Sequence, residues 1–284
     1  MGDRSLAAGG HTMTAMEAAM PEEYVRRVAR PTVLLRVARA TGWFFVWFGL
    51  FLLGFVVHQL FVTDVLAARA QQSLEDDLVV RSASLVQTVA FDPETGATGG
   101  AVEPVQVLLP LEETLPGDDL VLPTFDVDPA ERVLLTEPIP GHGEAVGRIR
   151  VPDLDLWWTA VEGVARDDLK KGPGHMPGTP LPGQPGNAVV SGHRTTYGAP
   201  FFDFDQLEPG SLIFWDSPVI GTTRYVVREI LVVAPQDVWV TDPLDGAWLT
   251  LTTCNPKFSA RERLVIRAEM IDGTNAAVIR GAST

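Results

Sequence analysis

The sequence predicts an all-β domain, a barrel or a sandwich, held behind one transmembrane helix. Three observations carry this: short β-branched runs recur after Pro140, an uncharged apolar run fills residues 42–62, and the charge changes sign across that run. With 284 residues, 46% of them hydrophobic and 20% charged, the chain is long enough for one well-buried domain with appendages. Its net charge of −14 supplies no basic field for phosphates, which argues against a nucleic-acid partner.

The run Gly42–Val62 reads GWFFVWFGLFLLGFVVHQLFV and contains no Asp, Glu, Lys or Arg. As a helix it spans roughly 30 Å, the thickness of the bilayer hydrocarbon, and it has no polar face to turn to water. Arg26, Arg27, Arg30, Arg36 and Arg39 precede it, and Asp64, Glu75, Asp76 and Asp77 follow. The positive-inside rule then puts the N-terminus in the cytoplasm and everything after residue 63 outside the cell membrane. A cleaved signal peptide ending at Ala68-Arg69-Ala70 is the rival reading. The apolar run is longer than a typical h-region, however, and the leading segment is longer than an n-region.

The composition divides the chain into a cytoplasmic tail (1–40), a signal anchor (41–63), a spacer or lid (64–140), a β domain (141–274) and a C-terminal tail (275–284). Residues 64–89 hold good helix formers, but their apolar positions keep no strict seam. From Phe91 to Gly141, Pro, Gly and acidic residues alternate with short aliphatic pieces such as VQVLLPL, a texture that suits an irregular spacer. Beyond Pro140 the runs VGRIRV, NAVVSG, SLIFW, RYVVREILVV, WLTLTTC and RLVIRAEM read as strands, whereas DLKKGPGHMPGTPLPGQPG reads as a loop.

Cys254 is the one cysteine, which rules out an internal disulfide and a Cys-rich zinc site. It is either a buried structural thiol or a reactive one. In WLTLTTC the alternation sets Leu249 and Leu251 on one face and Thr250, Thr252 and Cys254 on the other, and Asn255-Pro256 ends the strand. Cys254 thus sits at a strand mouth. His193, in GNAVVSGHRTTYGAPF, stands where an apolar strand meets a Gly/Pro loop; His175 lies in a loop with no strand to hold it. Arg263 opens the strand after Cys254, so a hairpin return brings its guanidinium beside the thiol, where five N–H donors suit an oxyanion. Arg261 has the same reach, and Arg263 is preferred.

Together, GNAVVSGHRTTYGAPF, TLTTCNP and RERLVIRAEM resemble the sortase series of a His, a T-L-x-T-C strand and an Arg before an aliphatic strand. The resemblance covers residues 141–272, takes in VGRIRVPDLDLWWTAVEGV upstream, and is greatest to class E sortases of actinobacteria. It implies an eight-stranded sortase barrel with short helices; no cofactor and no metal ligand is read from the sequence. Cys254 would be the nucleophile of a thiol acyl-enzyme, His193 the general acid/base and Arg263 the oxyanion or substrate clamp, with Tyr197, Thr196 and Thr253 in contact with substrate. The implied partners are surface proteins ending in an LAxTG-like sorting signal and an amine of a peptidoglycan stem peptide or its precursor. Papain-like enzymes place Cys before His, and L,D-transpeptidases carry Gly just before the cysteine; here Thr253 precedes it and Asn255-Pro256 follows. Two alternatives stay open: a pilus-polymerising sortase, and an inert envelope-binding module in which Cys254 fills the core.

Overall fold

A computed structural model describes residues 33–58, 63–81, 87–92, 95–102, 122 and 133–281. The chain divides into two compact units, residues 1–56 and 57–284. The first is represented by helix α1 (Val33–Val57), long and apolar enough to cross a membrane and exposed along its whole length. It takes in Arg36 and Arg39 ahead of the uncharged run, because arginine is a good helix former and nothing between Val33 and Gly42 breaks the helix. The cytoplasmic tail expected over 1–40 lies largely outside the described residues.

The second unit is built on a closed eight-stranded barrel. Its strands are β4 (Ala145–Val151), β5 (Leu156–Glu162), β6 (Gly174–His175), β7 (Gly186–Ser191), β8 (Leu212–Ser217), β9 (Gly221–Val233), β10 (Ala247–Asn255) and β11 (Glu262–Asp272). Around the barrel the order is β10-β11-β9-β8-β4-β5-β6-β7, closing between β7 and β10. The β7–β10 and β5–β6 pairs are parallel, and the others are antiparallel. Leu249 and Leu251 of β10 turn inward as the alternation predicts and meet Ile149, Ile213 and Ile266 in one core cluster. Every strand run read beyond Pro140 falls on one of these strands.

The loop reading of 168–186 misses β6. Two residues pair with β5 and β7 there, too few to show an alternating pattern. His175 is consequently held firmly, contrary to its reading as an unsupported loop histidine: it is 1% exposed, and its Nδ1 lies 2.6 Å from Glu162 Oε2.

Within segment 64–140, the stretch of good helix formers does form a helix. Helix α2 (Thr63–Arg81) lies on the barrel through Ala67, Gln71, Leu74 and Leu78, a seam at helical spacing. The seam escaped notice because one of its members is polar. Gln71 Nε2 donates to Thr159 O and Lys171 O at 2.9 and 2.8 Å, and its Oε1 accepts from Thr159 N at 2.8 Å. At the other end of α2, Arg81 donates to Glu137 at 2.7 Å, and Ser217 Oγ donates to the same carboxylate at 2.7 Å. Burial nonetheless pushes the Glu137 carboxyl above its ordinary range.

Strands β1 (Gln87–Asp92), β2 (Ala97–Val102) and β3 (Val133–Thr136) form a three-stranded sheet in the order β2-β1-β3. The VQVLLPL piece lies outside the described residues. Phe91 and Leu134 join the barrel core. Nor do residues 275–281 form a tail. Asn275 is buried and bonds Leu135 N, Leu135 O and Gly183 O, and the short helix α3 (Ala276–Gly281) buries Ala276, Val278 and Ile279. The apolar pair Val278-Ile279 is what ties this end down.

Leu251 makes a test of the core. Leu251→Ala should lower the unfolding free energy by about 2–5 kcal/mol in denaturant titration. Val80→Ser, on the exposed side of α2, should stay within about 0.5 kcal/mol of the parent.

Candidate active site

The site is organised by the register of three adjacent strands. β10 lies between β7 and β11. On one side Thr252 is level with Ser191 in the parallel pair, and on the other Cys254 is directly opposite Arg263 in the antiparallel pair. Ser191 Oγ and Thr252 Oγ1 are 2.8 Å apart, so both side chains project from the same face. Gly192 N donates to Thr252 O at 3.0 Å, carrying the pairing past the end of β7. His193 and Cys254 each follow that pair by two residues, His193 just past the end of β7 and Cys254 within β10. The register thus sets Cys254 opposite Arg263 and brings the end of β10 beside the turn that carries His193.

The face is the outer one. Thr253 points the other way, into the barrel, where its Oγ1 donates to Gly192 O at 2.8 Å and only 3% of the residue is exposed. Expected as a substrate contact, Thr253 instead ties the ends of β7 and β10 together, because odd-numbered β10 residues face inward. Farther down the outer face, Thr250 Oγ1 donates to Asn187 Oδ1 at 2.6 Å, and Asn187 Nδ2 donates to Val240 O and Asp242 O. The β9–β10 connection therefore covers the lower end of this face, while Cys254 at the upper end stays partly open.

His193 is half-buried, and its Nε2 is buried with no hydrogen-bond partner. Such an orphaned nitrogen calls for an explanation, and a proton-transfer role is one. Burial, which disfavours the imidazolium, lowers its pKa below the ordinary 6.5. The Tyr197 ring stands beside it, with centroids 5.0 Å apart and planes inclined by 36°. Thr196 is exposed in the same loop, its carbonyl accepting from Ala199 N.

Arg263 Nη1 donates to Ala260 O and Glu262 O at 3.1 and 2.9 Å, which leaves its other N–H donors for a ligand. Arg261 lies exposed in the β10–β11 loop, outside either strand. Among the described residues no three His, Cys, Asp or Glu side chains gather as a metal site would require.

Arg194 was missed from sequence. It is 2% exposed and braces the site, with Nε to Phe202 O at 2.7 Å, Nη1 to Cys254 O at 3.4 Å and Nη2 to Asp205 at 2.9 Å. Lys257, just past Cys254, adds ion pairs to Asp203 and Asp205 and sits over the Phe202 ring. The one sequence signal was an arginine next to the loop histidine, which reads equally well as a surface residue.

Residues 149–271 match the family model of the sortase domain. The barrel is a sortase domain. Among curated relatives, it is 29% identical over 265 residues to Sortase SrtE1 of Streptomyces coelicolor, covering 87% of this chain and 60% of that one. It is 32% identical over 117 residues to Sortase D of Bacillus subtilis, covering 41% of this chain and 58% of that one. The chain thus spans less than two thirds of either relative. Sortase E1 of Streptomyces coelicolor, solved with a tripeptide in its active site, is 30% identical, with 46% of this chain and 90% of that one covered and a TM-score of 0.43.

Two measurements follow from this geometry. In the free protein His193 should titrate, by NMR, with a midpoint below 6.5. Between that midpoint and 6.5 the unfolded chain binds more protons at this residue, so its contribution to stability falls as pH drops through the window. A midpoint above 6.5 would contradict the burial argument. Arg194→Ala should cost about 1.5–3 kcal/mol in thermal or chemical unfolding, because it removes charge-assisted bonds from a buried position.

Proposed function

We propose that the protein is a membrane-anchored cysteine transpeptidase that cleaves a C-terminal LAxTG-like sorting signal between Thr and Gly. The acyl group passes to an amine of peptidoglycan or its precursor. The observation that supports this reading is the register, which sets Cys254 opposite Arg263 and the end of β10 beside the end of β7, two residues before His193, whose Nε2 is buried without a hydrogen-bond partner.

The chemistry is derived from that arrangement. Cys254 Sγ attacks the threonine carbonyl carbon, and the carbonyl oxygen gains negative charge as the carbon becomes tetrahedral. In this reading Arg263, opposite Cys254 in the strand register, donates hydrogen bonds to that oxygen. His193 takes the thiol proton and passes it to the departing glycine nitrogen, since an amide nitrogen leaves only when protonated. A thioester on Cys254 remains. The incoming amine attacks the same carbonyl, gives its proton to His193, and the C–S bond breaks to restore the thiol. Tyr197, against His193, and Thr196, exposed in the same loop, are the side chains assigned to substrate contact.

Helix α1 serves as the anchor in this reading, with the arginine-rich N-terminus in the cytoplasm and the barrel outside, where sorting signals and wall amines meet. Residues 141–274 form the catalytic domain. Within segment 64–140, α2 packs on the barrel.

The test is mass spectrometry of the protein incubated with an LAETG-containing peptide and a short amine. The account expects a product joined through threonine, lost in Cys254→Ala and reduced at least about 100-fold in His193→Ala. Arg263→Lys should fail as well, since a point charge does not reproduce the guanidinium fork. Product formation by Cys254→Ala would reject the mechanism. A native thiol that resists alkylation, with no product, would favour the inert binding module.

A further inference from the structure

The segment carrying Tyr197 has an uncommon backbone. Tyr197, Gly198 and Ala199 have φ angles of 54°, 74° and 46°, three consecutive residues in the left-handed region. Glycine adopts that region freely, but Tyr197 and Ala199 do so only at a conformational cost, so the surroundings must hold the bend in place.

Two restraints come from within the loop: Ala199 N donates to Thr196 O at 3.0 Å, and Phe201 N donates to His193 O at 3.1 Å. Neither reaches the middle residue. Gly198 is held by two groups from outside. Trp158 of β5 packs so closely that a Cβ at 198 would stand 2.4 Å from its ring. Asp64 Oδ1 accepts a 3.0 Å hydrogen bond from Gly198 N.

Asp64 belongs to the first turn of α2, where the helix dipole favours a carboxylate. The helix is itself fixed to the barrel by Gln71, Leu74 and Leu78. Asp64 is exposed, and its bond to Gly198 spans 134 positions of sequence, so neither burial nor local helix geometry accounts for it. Its effect is to tie the first turn of α2 to the loop that places Tyr197 beside His193.

We propose that Asp64 is a positioning residue of the active site. By accepting from Gly198 N it holds the left-handed bend at 197–199 and keeps Tyr197 against His193, so that α2 is a working part of the enzyme. The proposal rests on the reading of His193 and Cys254 as the reacting pair.

The experiment compares Asp64→Ala and Asp64→Asn in the full chain. Asparagine keeps a carbonyl acceptor for Gly198 N, whereas alanine does not. Asp64→Ala should raise KM for an LAETG-containing peptide about fivefold to tenfold, as expected for one lost hydrogen bond, with kcat and melting temperature changed far less. Asp64→Asn should return KM to within about twofold of the parent. Independently of turnover, the Gly198 amide and His193 imidazole resonances should shift in Asp64→Ala and stay close to the parent in Asp64→Asn. Unchanged KM and unchanged resonances in Asp64→Ala would overturn the proposal, as would an Asp64→Asn variant as impaired as the alanine one. A parent that processes no peptide would count against the transpeptidase reading, and the resonances would still decide the role of Asp64.

Discussion

The parallel pairing of β7 with β10 is the constraint on which the rest of the site depends. Two strands far apart in sequence are locked with Ser191 level with Thr252, and the lock is reinforced on both faces. Outside it is the Ser191–Thr252 hydroxyl pair, and inside it is the Thr253 hydroxyl on Gly192 O. Because the side-chain period of a strand is two, a slip of one residue would send His193 and Cys254 to opposite faces. In the proposed mechanism, closure of the barrel at this seam and assembly of the site are therefore the same event.

Around that seam, buried polar groups supply restraints that apolar packing lacks. Asn187 and Thr250 join β7, β10 and the β9–β10 connection in one bonded set beneath the open end of the outer face. Arg194 fastens the backbone carbonyl of Cys254 to the loop after His193. Such groups are costly to bury unless each is satisfied, and here their partners are backbone carbonyls and side chains with well-defined directions. His193 Nε2 is the contrasting case, buried without a partner. A group left unsatisfied amid satisfied ones fits a site prepared for a ligand.

Much of this was legible in the sequence, for physical reasons that can be traced to particular residues. WLTLTTC alternates with period two, so the facing of Leu249, Leu251 and Cys254 was readable, and Asn255-Pro256 marked the end of the strand. The apolar run of α1 was equally plain. What escaped notice depended on contacts distant in sequence. Gln71 reads as a break in an apolar seam until its partners, Thr159 and Lys171, are seen. His175 reads as a loop residue until Glu162 is found beside it. Arg194 reads as a surface charge, and Val278-Ile279 as part of a tail, because nothing local announces their burial. Asp64 was legible only as one carboxylate after a membrane span.

The central claim is that Cys254, between His193 and Arg263, forms a thioester with its substrate. The most direct test is to incubate the protein with an LAETG-containing peptide in the absence of added amine, quench in acid and map the modified residue by peptide mass spectrometry. The account predicts that the peptide containing Cys254 gains the mass of the acyl fragment ending in threonine, and that hydroxylamine removes it. Cleavage between Thr and Gly with the adduct on another residue, or with Cys254 unmodified at every time point, would contradict the account.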